Sequence, residues 1–230
     1  ALERDTQLCT SLINGESSLR DVLTVLDERG KASKAMFDAI QGHHHRLRTL
    51  VGEGESAQSE WRAAVEDAGE LRRYAQAAAE ISTRQWTQQG IDWCAAFAVD
   101  FFHGGGKERL LRKEAKRLSL SELQTTACSE SRSAPIELLD VGSCGSLFNG
   151  VPGLVPTALD LCPSEGSDTV YKSDFLSLEV VPMGSDQVVV PHPHHPAGEL
   201  QCLPAASFDA VVMSLVLSYL PSPPLRAAMV

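Results

Sequence analysis

The stretch Glu137-Leu138-Leu139-Asp140-Val141-Gly142-Ser143-Cys144-Gly145 is a short apolar run that ends in a glycine turn. A turn of this kind suits close approach to a nucleotide, because a residue without Cβ brings the backbone N–H groups near the ligand. Asp160 closes a second apolar run 18 residues after Gly142, where its carboxylate can accept hydrogen bonds from both hydroxyls of a ribose. Asp174-Phe175 stands at the start of a third strand-like segment. The acid there can accept from an exocyclic amine, and the ring can pack on a purine. Ser214 closes a fourth run, Phe208 to Met213, with a small polar group.

The order of these groups matters more than any one of them. A glycine turn, an acid, an acid with an aromatic, and a strand ending in a small polar residue are the contacts S-adenosylmethionine needs. A nicotinamide dinucleotide also wants an acid after the second strand, but its pyrophosphate requires glycines at G-x-G-x-x-G spacing. Gly142-Ser143-Cys144-Gly145 fails that register. The sulfonium ligand has no phosphate and tolerates the looser turn. S-adenosylmethionine or S-adenosylhomocysteine is therefore the expected ligand, held by Gly142, Asp160, Asp174, Phe175 and Ser214.

Such groups must be placed by a parallel sheet, since open sheets of this class bind ligands beyond the carboxyl ends of their strands. Short apolar runs in 136–230 predict an α/β, Rossmann-like parallel sheet. Residues 1–127 read instead as a helical bundle. "LRDVLTVLDERG" predicts a helix that stops at Gly30, and "SEWRAAVEDAGELRRYAQAAAEISTRQW" a helix rich in good helix formers. "IDWCAAFAVDFF" is apolar enough for the bundle centre and breaks at Gly104-Gly105-Gly106, after which 107–117 resumes as a basic amphipathic helix. A linker rich in Thr, Ser and Glu runs from about Thr125 to Pro135. The expected division is 1–127 helical domain, 128–135 linker and 136–230 ligand-binding domain, with "PMGSDQVVVPHPHHPAGELQCLP" as an insertion between the third and fourth strands.

Composition narrows the function classes. The net charge is −10, and residues 129–230 hold 11 acidic against 3 basic side chains. Nucleic-acid affinity draws on neutralised phosphates, so the second half is ill suited to it. No run approaches 18 apolar residues, so no membrane span is expected. Neither a secretory signal nor a C-x-x-C pair is present, and the six scattered cysteines suit reduced thiols in the cytosol or nucleus. The chain starts at Ala1 and stops at Val230 within an expected helix, which reads as a fragment with a truncated sheet.

At these residues the chain resembles the SAMTOR family of S-adenosylmethionine sensors upstream of mTOR complex 1. Its distant relatives are the fungal methyltransferases that modify adenine N1 in large-subunit ribosomal RNA. The resemblance rests on "LLDVGSC" (138–144), "LD" (159–160), "VYKSDFLSL" (170–178) and "SLVLSYLPSP" (214–223). It extends through "HRLR" (45–48), Trp61, "ED" (66–67), "YA" (74–75), "IDWC" (91–94) and "GGK" (105–107), covering about 43–225. It implies an N-terminal helical domain packed on a class I methyltransferase domain with the ligand between them. It also implies a negative regulator of mTOR complex 1 acting through the GATOR and KICSTOR complexes, with inhibition relieved by S-adenosylmethionine. The implied location is the cytoplasm, and the lysosome surface through those partners. Family contacts carry over to Gly142, Asp160, Asp174, Phe175 and Ser214, the positions already singled out.

An active methyltransferase on RNA or protein is the alternative. Enzymes acting on exocyclic base amines carry Asn/Asp-Pro-Pro-aromatic after the fourth strand, whereas Ser214-Leu215-Val216-Leu217-Ser218-Tyr219 stands here. No catalytic residue is assigned, and Ser218 and Tyr219 read as a polar turn and a core tyrosine. No metal site is expected: His43, His44 and His45 point in different directions on a helix, which suits an exposed polar face. His192, His194 and His195 sit between prolines. Trp61, Trp86 and Trp93 read as bundle core, with Trp61 and Arg62 the candidates for testing at the cleft.

Overall fold

A computed structural model of the chain describes residues 7, 10, 11, 14, 19–51, 57–118, 134–183 and 198–230. Helices α1 (Leu19–Leu50), α2 (Ala57–Val65), α3 (Ala68–Ser82), α4 (Gln85–Phe102) and α5 (Gly106–Arg117) precede the sheet. Strands β1 (Ile136–Val141), β2 (Leu154–Asp160) and β3 (Val170–Lys172) follow, then a 3-10 turn at Phe175–Ser177. The remainder is β4 (Glu179–Val181), β5 (Cys202–Pro204), β6 (Ala210–Val212), α6 (Val216–Tyr219) and α7 (Pro223–Ala228).

The main sheet has the order β3-β2-β1-β6, every pair parallel. This is an α/β, Rossmann-like arrangement. The chain steps outward from β1 to β2 to β3, then returns to the other side of β1 as β6. Loops leaving β1 and β6 therefore diverge, and that switch point opens a crevice at the carboxyl edge. β4 and β5 form a second, two-stranded parallel sheet.

Alternation along the strands serves two cores. Ile136, Leu138 and Leu154 pack with Phe148 and with Ile91, Ala95 and Ala98 of α4. Leu139, Val141, Leu159 and Tyr171 pack instead with Leu47 of α1, Ala57 and Trp61 of α2, and Leu220, Leu225 and Met229. Helices of the first half thus cover both faces of the sheet.

Several sequence expectations are corrected. Helix α1 continues through Gly30 to Leu50. A lone glycine costs about 1 kcal/mol against alanine in a helix. The ion pairs Lys31–Asp27 and Lys34–Asp38, together with the buried Met36, His43 and Leu47, carry the helix on. The long Ala- and Glu-rich segment is split at Asp67, whose carboxylate accepts from Gly69 N and Glu70 N and so starts α3. Trp86 and Trp93 are 52% and 66% exposed, so they do not belong to a bundle core. The third segment also divides: β3 ends at Lys172, and Glu179–Val181 belongs to the second sheet. The predicted break at Gly104–Gly106 is present, with Gly105 at φ 78° preceding α5. The sequence-expected linker 128–135 lies outside the described residues up to 133, as do His192, His194 and His195.

Candidate functional site

A cavity of about 230 Å³ lies at the carboxyl edge of the sheet under the helical half. Gly142, Asp160, Asp174, Phe175 and Ser214 all line it. The structure thus brings the five sequence-selected residues to one crevice, each from the end of a strand or the turn after it.

Gly142 has φ +76°, a conformation costly for residues with a Cβ. A Cβ built there would overlap Val216 Cγ2 at the start of α6. The glycine is needed so that the turns after β1 and β6 can pack together, a different reason from close approach to a ligand. Gly142 N and Ser143 N both donate to Leu159 O, at 2.8 and 3.1 Å, which ties the turn to β2. Cys144, also at positive φ, accepts at its carbonyl from Ser164 Oγ at 2.7 Å.

Asp160 ends β2 and is committed on both oxygens. Oδ2 accepts from Cys144 N at 3.0 Å and Oδ1 from Cys162 N at 2.8 Å. An ionised carboxylate has about four acceptor sites, so two lone pairs remain for a ligand diol. Burial pushes its pKa up, while the two amide donors hold it down.

Asp174 follows β3, after its carboxyl end, where the sequence reading had put it at the start of a strand. Its Oδ1 accepts from Leu176 N at 3.1 Å and caps the 3-10 turn that presents Phe175. Its Oδ2 accepts from Ser177 Oγ at 3.1 Å and from Trp61 Nε1 at 3.4 Å. Trp61 is 2% exposed and lines the cavity, whereas Arg62 is exposed. Ser214 reaches the cavity rim and is itself exposed.

The sequence reading missed two wall groups, Asp140 and Ser173, and one buried ring outside the lining, His43. Asp140, read only as part of a strand, is 2% exposed, and its Oδ2 has no hydrogen-bond partner among the described residues. Burial pushes its pKa up to about 6, the nearby Ser143 hydroxyl opposing and Asp160 adding to the rise. Ser173, buried at the end of β3, likewise has an unpartnered Oγ facing the cavity wall. His43 is buried, not exposed, and its Nε2 is hydrogen-bonded to Tyr219 Oη at 2.9 Å. A signal for His43 was present: Met36, Ile40, His43 and Leu47 follow the 4-3-4 spacing of one helix face.

The electrostatics of the lining are one-sided. Among the described residues, three carboxylates, Asp140, Asp160 and Asp174, face the cavity, and no lysine or arginine lines it. His44, the sole lining histidine among the described residues, is held below its usual pKa by burial, with Arg48 and His43 adding to the depression. Such a wall repels a pyrophosphate and favours a neutral or cationic ligand.

No family model matches the chain. It is 29% identical over 222 residues to the protein named S-adenosylmethionine sensor upstream of mTORC1 of Danio rerio, a match that takes in 86% of this chain and 55% of that protein. The protein of that name from Xenopus laevis is 28% identical over 224 residues, covering 85% and 54%. The one from Xenopus tropicalis is 29% identical over 224 residues, with the same shares. The chain spans about half the length of the curated relatives it matches. Along most of its own length, this chain is homologous to curated proteins named as S-adenosylmethionine sensors upstream of mTORC1.

Proposed function

We propose that the chain binds S-adenosylmethionine in this crevice and serves as the ligand-reading part of a sensor in mTOR complex 1 signalling. The observation that carries the reading is the wall of three aspartates, without a lysine or arginine among the described residues, at the switch point of a Rossmann-like sheet. The names of the relatives support it independently. In this reading Asp160 takes the ribose hydroxyls, Asp174 and Phe175 the adenine, and the Gly142 turn and Ser214 the methionine side. Residues up to about 127 act as a helical domain and 136–230 as the ligand-binding domain. Ligand binding tightens one on the other and changes a protein-binding surface. By linkage, a partner that prefers the ligand-free form loses affinity by the factor with which it weakens the ligand. The partners proposed are GATOR and KICSTOR, with inhibition of mTOR complex 1 relieved by the ligand, in the cytoplasm and at the lysosome surface.

Calorimetric titration with S-adenosylmethionine and, separately, with NAD tests the reading. Saturable binding of the first and none of the second is expected. Binding of NAD alone would overturn it. Asp160→Ala should abolish adenosyl binding, and its thermal unfolding must be recorded alongside because it also frees two backbone N–H groups.

An active methyltransferase is the second reading, favoured only by Ser218 and Tyr219 beside the cavity. Ser218 Oγ, however, donates to Leu215 O at 2.6 Å within its own turn. Transfer of labelled methyl groups to ribosomal RNA or protein would support that reading.

A further inference from the structure

Four rings meet on the helical side of the cavity. His44 comes from α1, Trp61 from α2, Tyr74 from α3 and Tyr219 from α6, and all four line it. Tyr219 is their centre. Its ring centroid lies 4.8 Å from that of Tyr74, 5.7 Å from Trp61 at 90°, and 5.7 Å from His44 at 77°. Tyr74 and His44 are 5.7 Å apart. The group is anchored at both ends, by the Tyr219–His43 hydrogen bond and by Trp61 Nε1 on Asp174.

Trp61 and Tyr219 pack with the main core, and all four rings also border the cavity. Nearest the sheet, the rings border the carboxylates: the charge of Asp160 acts on both Tyr74 and Tyr219. Neighbouring ring faces and carboxylates attract the same thing, a cation. Aromatic faces attract compact or alkylated cations through the ring quadrupole, most strongly when water is excluded. Among the described residues no lysine or arginine lines the cavity, and burial holds the His44 pKa below its usual value, which disfavours a positive charge from the wall itself.

Accepting the proposed ligand, we propose that Trp61, Tyr74 and Tyr219 form an aromatic cage that recognises the positive sulfur of S-adenosylmethionine and discriminates against the neutral thioether of S-adenosylhomocysteine. The two compounds share adenine, ribose and the amino-acid end, so strand-tip contacts alone treat them alike. The cage reads the charge at sulfur. A sensor so built responds more strongly to the methyl donor than to its demethylated product.

The test is the ratio of dissociation constants for S-adenosylhomocysteine and S-adenosylmethionine, measured by calorimetry on one protein preparation. A ratio of roughly 2 to 30 is expected for the unsubstituted chain, the span from an exposed to a desolvated cation–π contact. Sinefungin, which carries an ammonium near the position of the sulfonium, should bind like the donor. Tyr219→Leu and Tyr74→Leu should each bring the ratio toward 1, whereas Tyr219→Phe, which keeps the ring and loses only the hydroxyl, should leave it unchanged. Because both ligands are compared on one preparation, partial misfolding of a variant cancels in the ratio. Equal binding of the two compounds by the unsubstituted chain, or an unchanged ratio in both leucine variants, overturns the cage and leaves the ligand assignment standing. Failure of both compounds to bind sinks the ligand assignment itself.

Discussion

His43 Nε2 and Tyr219 Oη are hydrogen-bonded at 2.9 Å, joining the first long helix to the short helix that follows the last strand of the sheet. The two residues are 176 positions apart, and each is in ring contact with Tyr74. His43 Nδ1 faces Glu70 Oε2 at 3.7 Å, and Glu70 also pairs with Arg46. Burial is the main cause that lowers the His43 pKa, Arg46 adding to it and Glu70 opposing. A neutral imidazole at this junction lets the hydroxyl and ring nitrogen pair without a buried charge. Tyr219→Phe removes that pairing and leaves a buried ring nitrogen unsatisfied, which should cost about 1–3 kcal/mol of stability. Urea unfolding at pH 7.5 measures it; a change below about 0.3 kcal/mol would show that the bond contributes nothing to the junction.

Acid should loosen the same junction. The histidine pKa is lower in the folded chain than in the unfolded one, for which 6.5 is the ordinary value, so the unfolded state takes up the proton first. Stability therefore falls as pH drops through about 6.5, and levels off once the folded-state imidazoles are protonated too. His43→Gln, which keeps a polar side chain without titrating, should flatten this part of the profile.

Asp140 has the opposite sign. Its folded pKa of about 6 lies above the ordinary 3.8, so the folded state holds the proton more tightly. The stabilisation from that proton is complete below about 3.8 and is lost as pH rises through about 6. At pH 7 the ionised carboxylate costs the ligand-free fold at most about 3 kcal/mol. Asp140→Asn should raise unfolding stability at pH 7 and show no gain at pH 4. The comparison must be made variant against parent at each pH, because the histidines change with pH in the other direction. A variant less stable than the parent at pH 7 would contradict the buried, uncompensated charge.

Glycines at 142 and 30 should respond in opposite ways. Gly142→Ala combines a positive φ with an overlap on Val216, and should destabilise by about 2–4 kcal/mol. Val216→Ala in the same chain should return part of that loss. For this reason loss of ligand binding in Gly142→Ala alone says little about ligand contact. Gly30 lies inside α1 with nothing within 4 Å of an added Cβ. Gly30→Ala should stabilise by about 0.5–1 kcal/mol. Thermal unfolding of the two variants checks both signs, and a loss at Gly30 would argue that α1 does not run through it.

The strand tips were legible because apolar runs ending in a glycine or an acid are local signals. β1 and β2 fall where the runs in 136–141 and 154–160 place them, and Gly142, Asp160, Asp174, Phe175 and Ser214 come to one cavity. What the sequence hid was non-local. Asp140 looks like a solvent-facing acid in an alternating strand until α4 and the turn after β1 bury it. His43 looks like one of three exposed histidines until its phase with Met36 and Leu47 is matched to Tyr219 from the far end of the chain. Gly30 looks like a helix stop because glycine is common after helices, but no left-handed turn follows it. The exposed Trp86 and Trp93 show the converse error, since an apolar helix need not be buried all round.

The three tryptophans give a last prediction that reads the cavity directly. Trp61 is buried against Asp174, while Trp86 and Trp93 are largely exposed. With Trp86→Phe and Trp93→Phe in place, the remaining emission comes from Trp61 and should be blue-shifted and nearly insensitive to iodide. In the parent, iodide should quench most of the emission contributed by the two exposed rings. Because Trp61 lines the cavity, titration with S-adenosylmethionine should change the emission of the double variant. Iodide quenching of Trp61 as strong as that of the exposed pair would place the ring in solvent. The aromatic wall, and with it the discrimination proposed for the sulfonium, would then lose its foundation.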